Sequence, residues 1–383
     1  MATASPFRSV EIGLLDKLRQ IAWPFVCGVV LVGLIGCGML YLAAGGSFDP
    51  WASRHVVRLG VGIGVMLVVA LIDLRFWFRF AYAIYGAALL GLIAVEVAGS
   101  INMGAQRWID LGLFQLQPSE VMKIGLVLAL ARYFHSAYLD EVGRPFHLVV
   151  PLVLVLLPAM LVLKQPDLGT AIMLLSGGAA LFLVAGVRWW KFGVVVGGTL
   201  AVLPILWQQL HDYQKQRVMT FLNPEHDPLG SGYHIIQSKI ALGSGGIWGK
   251  GFIQGTQSQL SFLPEKQTDF VFTMLAEEAG LMGALGLLFL FTVLIGYGFV
   301  FALRSRSQFG RLLTVGATCT LFLYVFINIA MVTGLIPVVG VPLPLISYGG
   351  TAMMTILTGF GLMLSVEVHR DVVIPRFQVS DRD

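Results

Sequence analysis

The chain has 383 residues, 57% of them hydrophobic and 12% charged, where an ordinary soluble domain carries about 25% charged residues. A mean hydropathy of +0.82 is more than a soluble surface can carry, which excludes a secreted, cytosolic or disordered protein; it also excludes a β-barrel, whose strands alternate and whose mean hydropathy is modest. The net charge of +4 comes from basic residues scattered at helix ends, a pattern of membrane topology and of an anionic lipid-linked ligand, with no nucleic acid implied.

What remains is an all-α polytopic membrane protein, a single domain over residues 1–383. A spanning helix needs about 20 mostly apolar residues. Ten runs qualify: 22–44, 56–72, 80–98, 118–135, 147–163, 168–187, 192–207, 270–303, 311–334 and 345–366, the eighth crossing with its second half. Lys17 and Arg19 precede the first run as they would in a signal peptide, but its apolar stretch exceeds the roughly 7–15 residues of a signal core, so it reads as an uncleaved span. With the N-terminus cytoplasmic, 15 of the 25 Lys and Arg residues fall inside. Five of the other ten lie in one long loop that the positive-inside rule does not count, leaving a bias of 15 to 5 and both termini in the cytoplasm.

That loop, 208–269, is too long for a plain connector and reads as a functional extracytoplasmic segment. Within it, 233–242 (YHIIQSKIAL) has the pattern of a short amphipathic helix at the membrane interface. Asn223-Pro224, Asp227-Pro228 and the run Gly243-Ser244-Gly245-Gly246 supply turn chemistry on either side. Cys27, Cys37 and Cys319 stand apart in apolar runs and read as packing residues, not as a zinc site or a disulfide framework.

Ionisable groups inside or at the rim of spans are costly and by default mark function. Several gather on the outer side. Arg107 sits in GAQRWIDLG, just before the fourth span, and that span opens QPSEVMK, with Glu120 and Lys123 three apart on one helix face. The two form either a self-satisfied ion pair or, with Arg107 and Gln117 beside them, part of an anion site. Asp167 in KQPDLGT would cap the sixth span, a role compatible with a place in a site. Arg54 and Arg58 add positive charge at the outer end of the second span, and Arg58 reads as a snorkelling anchor. Asp269, in FLPEKQTDF, stands where the long loop returns to apolar sequence; partial dehydration there suits a proton acceptor, and an N-cap accounts for the spacing equally well. In GVPLPLISYGGT two prolines and a glycine pair fall at a span boundary. Broken helix at membrane depth survives only when buried in protein or lining a cavity, so this segment reads as cavity wall with the Ser347 hydroxyl turned inward.

Taken together, GAQRWIDLG, QPSEVMK, QPDLGT, YHIIQSKIALGSGGIWGKG, FLPEKQTDF and PLPLISYGG resemble the SEDS family (shape, elongation, division and sporulation) from about residue 10 to 370. The short tails and the HDYQKQRVMTFLNPEHDPLGSGYHIIQSK stretch are similar to its elongation branch. The resemblance implies ten spans in a bacterial inner membrane and polymerisation of lipid II into peptidoglycan on the periplasmic side. It also implies an essential aspartate at Asp269, with substrate-binding positions at Arg54, Arg107, Glu120, Lys123, Asp167 and Ser347. The expected partner is a class B penicillin-binding protein, a transpeptidase. The chemistry needs one base and a holder for the leaving pyrophosphate: Asp269 for the first; Lys123, Arg107 and Arg54 for the second, with Glu120 orienting Lys123. Asp167 would orient likewise or hold a divalent ion, Mg or Mn, on the phosphates. The rival functions are a flippase for the lipid-linked precursor, which needs a polar path to both faces, and a scaffold, which needs no converging charges.

Overall fold

The computed structural model describes residues 13–102, 105–110, 112, 115–137, 142–209, 212–223, 231–255 and 266–375. Residues 262–265 of the FLPEKQTDF run, Asp227-Pro228, Arg8, Arg376 and Arg382 lie outside them. In chain order come α1 (Leu14–Gln20), α2 (Trp23–Ala43), α3 (Ala52–Leu71), α4 (Leu74–Ala98), strands β1 (Ser100–Asn102), β2 (Ala105–Asp110) and β3 (Gln115–Leu116), then α5 (Pro118–Ser136), α6 (Pro145–Lys164), α7 (Leu168–Ala185) and α8 (Trp189–Gln209). The chain continues through α9 (Asp212–Leu222), α10 (Ser231–Ser244), α11 (Val271–Arg304), α12 (Gln308–Val332) and α13 (Gly350–Val368). Among the described residues eight helices are long and apolar enough to cross a membrane: α2, α3, α4, α6, α7, α11, α12 and α13. The chain is a polytopic helical membrane protein.

Many of these runs are rich in Val and Gly, poor helix formers in water; in hydrocarbon every backbone group must bond internally, and helix is the local way to do so. Proline at the first turn starts α2, α5 and α6, where its missing N–H costs nothing. Side chains of Asp73, Asp167 and Ser307 cap α4, α7 and α12.

α5 differs from the eight. It has 19 residues, includes Glu120, Lys123 and Arg132, and is buried along most of its length against α4, α7 and α12. α8 holds a shorter apolar stretch, Trp189–Val202. α3 and α13 approach closely because Gly62 accepts Leu357 and Gly361 lies against the Met66 carbonyl; a methyl group at Gly361 would stand 2.7 Å from that oxygen.

Two local features depart from, or refine, the sequence reading. The segment between α4 and α5, read as a loop, forms a three-stranded antiparallel sheet in the order β1-β2-β3, with Ile101 opposite Gln106 and Ile109 opposite Leu116. The helix expected at 233–242 is present as α10, but it docks onto the bundle: Ile235 and Ser238 are buried, and the Ser238 hydroxyl meets Thr273 Oγ1 at 2.8 Å and the Val332 carbonyl at 2.7 Å. α11 breaks at Gly280 (φ 68°, ψ −167°), so only its second part runs as a long span, as the sequence led us to expect.

The bundle has two chemically distinct ends. At one, Arg132 donates to the Arg79 carbonyl at 2.8 Å, Arg304 and Arg370 pair with the buried Glu367, and the Arg306 amide donates to the Arg370 carbonyl. The opposite end holds the first turns of α3, α5 and α7, the Asp269 turn and the 333–349 connection.

Candidate functional site at one end of the bundle

Glu120 and Lys123 lie on the inward face of α5, 4% exposed each. Lys123 Nζ donates to Glu120 Oε1 at 2.7 Å, and the Tyr324 hydroxyl on α12 donates to Glu120 Oε2 and accepts from Lys123. An ion pair this dry is maintained only with good geometry and additional hydrogen bonds, which Tyr324 supplies. The pair is therefore satisfied, as one sequence reading had it; Lys123 also lines a small apolar cavity of about 20 Å³ between α5, α12 and α13, with Val127, Leu321, Ile356 and Phe360 around it.

One helical turn along α12, Asn328 is fully buried and donates from Nδ2 to the Asp269 carbonyl at 3.0 Å and to the Val341 carbonyl at 2.7 Å. Both partners are acceptors, so the amide orientation follows from the network. Tyr324 and Asn328 are four residues apart, about 6 Å along the axis, and so α12 sets the Asp269 segment one turn above the Glu120–Lys123 pair. The Asp269 side chain is half-buried against Gly340: a methyl group there would come 3.4 Å from Oδ2. Gly340 has φ +72°, a conformation glycine adopts without steric cost.

The preceding residues are fixed from the C-terminal segment. The Ser347 hydroxyl donates to the Thr268 carbonyl and accepts from the Leu343 amide at 2.8 Å, while the Tyr348 amide donates to Gln267 O at 2.8 Å. Ser347 was expected to turn its hydroxyl inward; that hydroxyl is spent on backbone, and its effect is to hold the turn that carries Asp269. It also borders a small cavity with Tyr324, Pro342 and Pro344.

Asp167 caps α7, accepting from Thr170 N at 3.1 Å and Thr170 Oγ1 at 3.0 Å, and takes a longer bond from Gln117 Nε2 at 3.4 Å. Arg107, on β2, stands 3.9 Å from the Asp167 carboxylate and donates to the carbonyls of Gln165 and Pro166. Gly169 packs so tightly on the Val339 carbonyl that a methyl group would lie 2.7 Å from it. The 339–341 segment thus touches the Asp167 turn on one side and Asp269 on the other, and Tyr324 lies within the electrostatic reach of both Glu120 and Asp167.

Five of the sequence candidates, Arg107, Glu120, Lys123, Asp167 and Asp269, therefore converge, and Ser347 supports them. Arg54 does not join them: it is exposed on the first turn of α3. One turn deeper, Arg58, read as an anchor, places its guanidinium 4.7 Å from the centre of the Tyr348 ring and against Gly350. Tyr324 and Asn328 were missed by sequence reasoning; their signal was two polar groups at i, i+4 inside an otherwise apolar span. Among the described residues no group of three or more His, Cys, Asp or Glu converges as a metal cage, and both Asp167 oxygens already accept hydrogen bonds. The described residues offer no protein-only cage for a divalent ion, and no step below is routed through one.

A family model of cell cycle proteins, covering FtsW, RodA and SpoVE, matches residues 21–372. The chain belongs to this family. It is 45% identical over 353 residues to the peptidoglycan glycosyltransferase MrdB of Escherichia coli, covering 91% of this chain and 94% of that protein. It is 34% identical to the stage V sporulation protein E of Bacillus subtilis, covering 88% of this chain and 94% of the relative. Among solved structures, a chain described under the structural coordination of polymerization and crosslinking by a peptidoglycan synthase complex superimposes with a TM-score of 0.78 at 36% identity, covering 91% of this chain and 98% of the other. The rod shape determining protein RodA of Thermus thermophilus gives 0.69 at 31% identity, covering 91% and 97%. Family membership thus rests on nearly the whole chain.

Proposed function

We propose that this chain is a peptidoglycan glycosyltransferase that polymerises lipid II, the undecaprenyl-pyrophosphate-linked disaccharide-peptide, into glycan strands. The observation that carries the reading is a half-buried carboxylate, Asp269, held by Asn328 one helical turn along α12 from Tyr324 and its buried Lys123. Relatives named as glycosyltransferases over the same span of chain support it. In this reading α5 and α8 also cross the bilayer, giving ten spans with both termini cytoplasmic, and the converging end faces outward from the bacterial inner membrane.

The chemistry follows from the residue types. Asp269 accepts the proton of the attacking sugar hydroxyl; that oxygen bonds to the anomeric carbon as the carbon–oxygen bond to pyrophosphate breaks, and the electron pair leaves with the phosphate. A displacement with inversion needs one base and no second carboxylic acid. Lys123 is a point charge for the pyrophosphate, and it acts in a dry setting where charge stabilisation is strongest. Arg107 spends two donors on the Gln165 and Pro166 carbonyls, so its main effect is to hold the Asp167 turn, with its remaining charge added to the anion site. Arg54, exposed above them, is placed to meet the sugar–phosphate head group from solution.

A class B penicillin-binding protein is the partner expected for strands made this way. A flippase reading has less to support it: Arg107, Glu120, Lys123, Asp167 and Asp269 gather at one end of the bundle, while at the other Arg304 and Arg370 pair with Glu367. The test is polymerisation of fluorescent lipid II by the purified protein in detergent, where no second compartment exists, with Asp269→Ala alongside. Loss of product by at least a hundredfold in the variant is expected, the low end of a general-base effect of about 10²–10⁴. Glycan chains made by Asp269→Ala at the unsubstituted rate would overturn the base assignment.

A further inference from the structure

The loop that follows α10 is built into the break of α11. The amides of Lys250 and Gly251 donate to the carbonyls of Glu277 and Glu278 at 3.0 and 3.1 Å, and the amides of Leu281 and Met282 donate to Gly246 O and Ile247 O at 2.9 and 3.2 Å. The helix is interrupted at Gly280, and the loop backbone takes over the groups the interruption frees. Contact is so close that a methyl group at Gly249 (φ +82°) would stand 2.0 Å from Glu278 O. Lys250 turns inward to Glu277, 2.9 Å away, leaving the outward side of the loop apolar. On that side Ile247, Trp248, Phe252 and Ile253 are 59%, 78%, 69% and 46% exposed.

Two independent rulers fix the depth of this ridge. The part of α11 beyond Gly280 runs to Arg304, and its length of about 36 Å spans a hydrocarbon core of about 30 Å with little to spare. The break therefore lies at the edge of the hydrocarbon. α2 ends at Ala43, and Ile253 Cδ1 lies 3.5 Å from where a Cβ of Gly46 would be, so the loop stands level with the end of a second spanning helix. On α11 the exposed apolar residues Leu281, Met282 and Leu285 follow the break, on the side such a helix turns to lipid.

We propose that residues 246–253 are a membrane-interface anchor, with Trp248 and Phe252 seated at the boundary between headgroups and acyl chains. Their partner is lipid. Trp248 has an indole N–H on an otherwise apolar ring, the kind of side chain that settles at this level, and Phe252 adds apolar area beside it. The anchor bears on the site because the same short helix, 271–279, carries Asp269 at its start and meets the loop at its end. Seating the loop fixes the height of Asp269 against the bilayer. The inference rests on the chain spanning a membrane, not on the glycosyltransferase reading.

The experiment uses the full chain, with its cysteines replaced, in lipid nanodiscs without any partner protein. A spin label is placed in turn at Phe252→Cys, at Phe289→Cys on the outer face of α11, and at Asp371→Cys at the far end as the water control. Collision with oxygen and with a water-soluble nickel chelate is then measured. The label at 252 is expected to fall between the other two, at headgroup depth. Nickel accessibility equal to that at 371 would overturn the proposal, as would shielding from both reagents, which means burial against protein. As a second readout, Trp248→Ser with Phe252→Ser is expected to lower polymerisation severalfold in bilayers while leaving it unchanged in detergent. Equal loss in both media would also count against an anchor, while a chain that failed the polymerisation assay altogether would leave the label's depth unaffected.

Discussion

The Glu120–Lys123 pair offers the sharpest separation between holding the fold and doing chemistry. Each side chain is 4% exposed, and each is the other's charge partner at 2.7 Å. Removing one member leaves a buried charge uncompensated, which costs about 3–5 kcal/mol. Glu120→Gln and Lys123→Met singly are each expected to lose stability in that range; treated as independent sites they would together lose about 6–10 kcal/mol. The double variant carries no charge to strand, and Tyr324 still hydrogen-bonds the Gln that replaces Glu120. It is expected to regain most of that sum, a coupling of several kcal/mol that a double-mutant cycle on unfolding in detergent would measure. Polymerisation should not return with stability, because the cation proposed to balance the pyrophosphate is gone. A double variant as unstable as the sum of the singles would show that the two charges do not stabilise each other. One that is stable and polymerises at the normal rate would show that the pair serves the fold alone.

Other expectations follow from individual contacts. Asp167→Ala removes the α7 cap and should cost about 0.5–2 kcal/mol, while Asp167→Asn keeps the cap; activity lost in both but stability lost only in the first, read by thermal unfolding beside lipid II polymerisation, would assign the carboxylate charge to the site. Ser347→Ala frees the Thr268 carbonyl and the Leu343 amide and should cost about 1–3 kcal/mol, with a fall in turnover beyond the loss of folded protein. Gly249→Ala forces a methyl group onto Glu278 O at 2.0 Å, and a sharp drop in melting temperature is expected. His369, just past α13, is held below its ordinary pKa of 6.5 chiefly by burial, with Lys17 adding to the effect and the Ser365 carbonyl and Asp73 opposing it. The unfolded chain then binds the proton more readily, so the stability contributed by neutral His369 is complete above pH 6.5 and is lost as pH falls from there toward the folded value. Melting curves of the natural chain and of His369→Gln should diverge above pH 6.5 and draw together below it.

Much of this protein was legible before any coordinates. Long apolar runs admit one local structure in hydrocarbon, so the eight helices long and apolar enough to cross could be placed within about six residues, and even the break in α11 was foreshadowed by a run too long for one crossing. Glu120 and Lys123 were recognisable as partners because i, i+3 spacing is local, and Asp167 as a cap because a cap acts on its own helix. What sequence could not supply was every relation between distant helices. That Tyr324 closes the ion pair, that Asn328 ties Asp269 to the 339–341 segment, that Ser347 spends its hydroxyl on Thr268 and that Arg58 rather than Arg54 meets Tyr348 depend on which helix faces fit together. Apolar patterning says that a face is buried; in a chain where nearly every face is apolar it does not say against what. Close approach of glycine to backbone and the pairing of a few buried polar groups made that choice, and both exist only once the helices are packed.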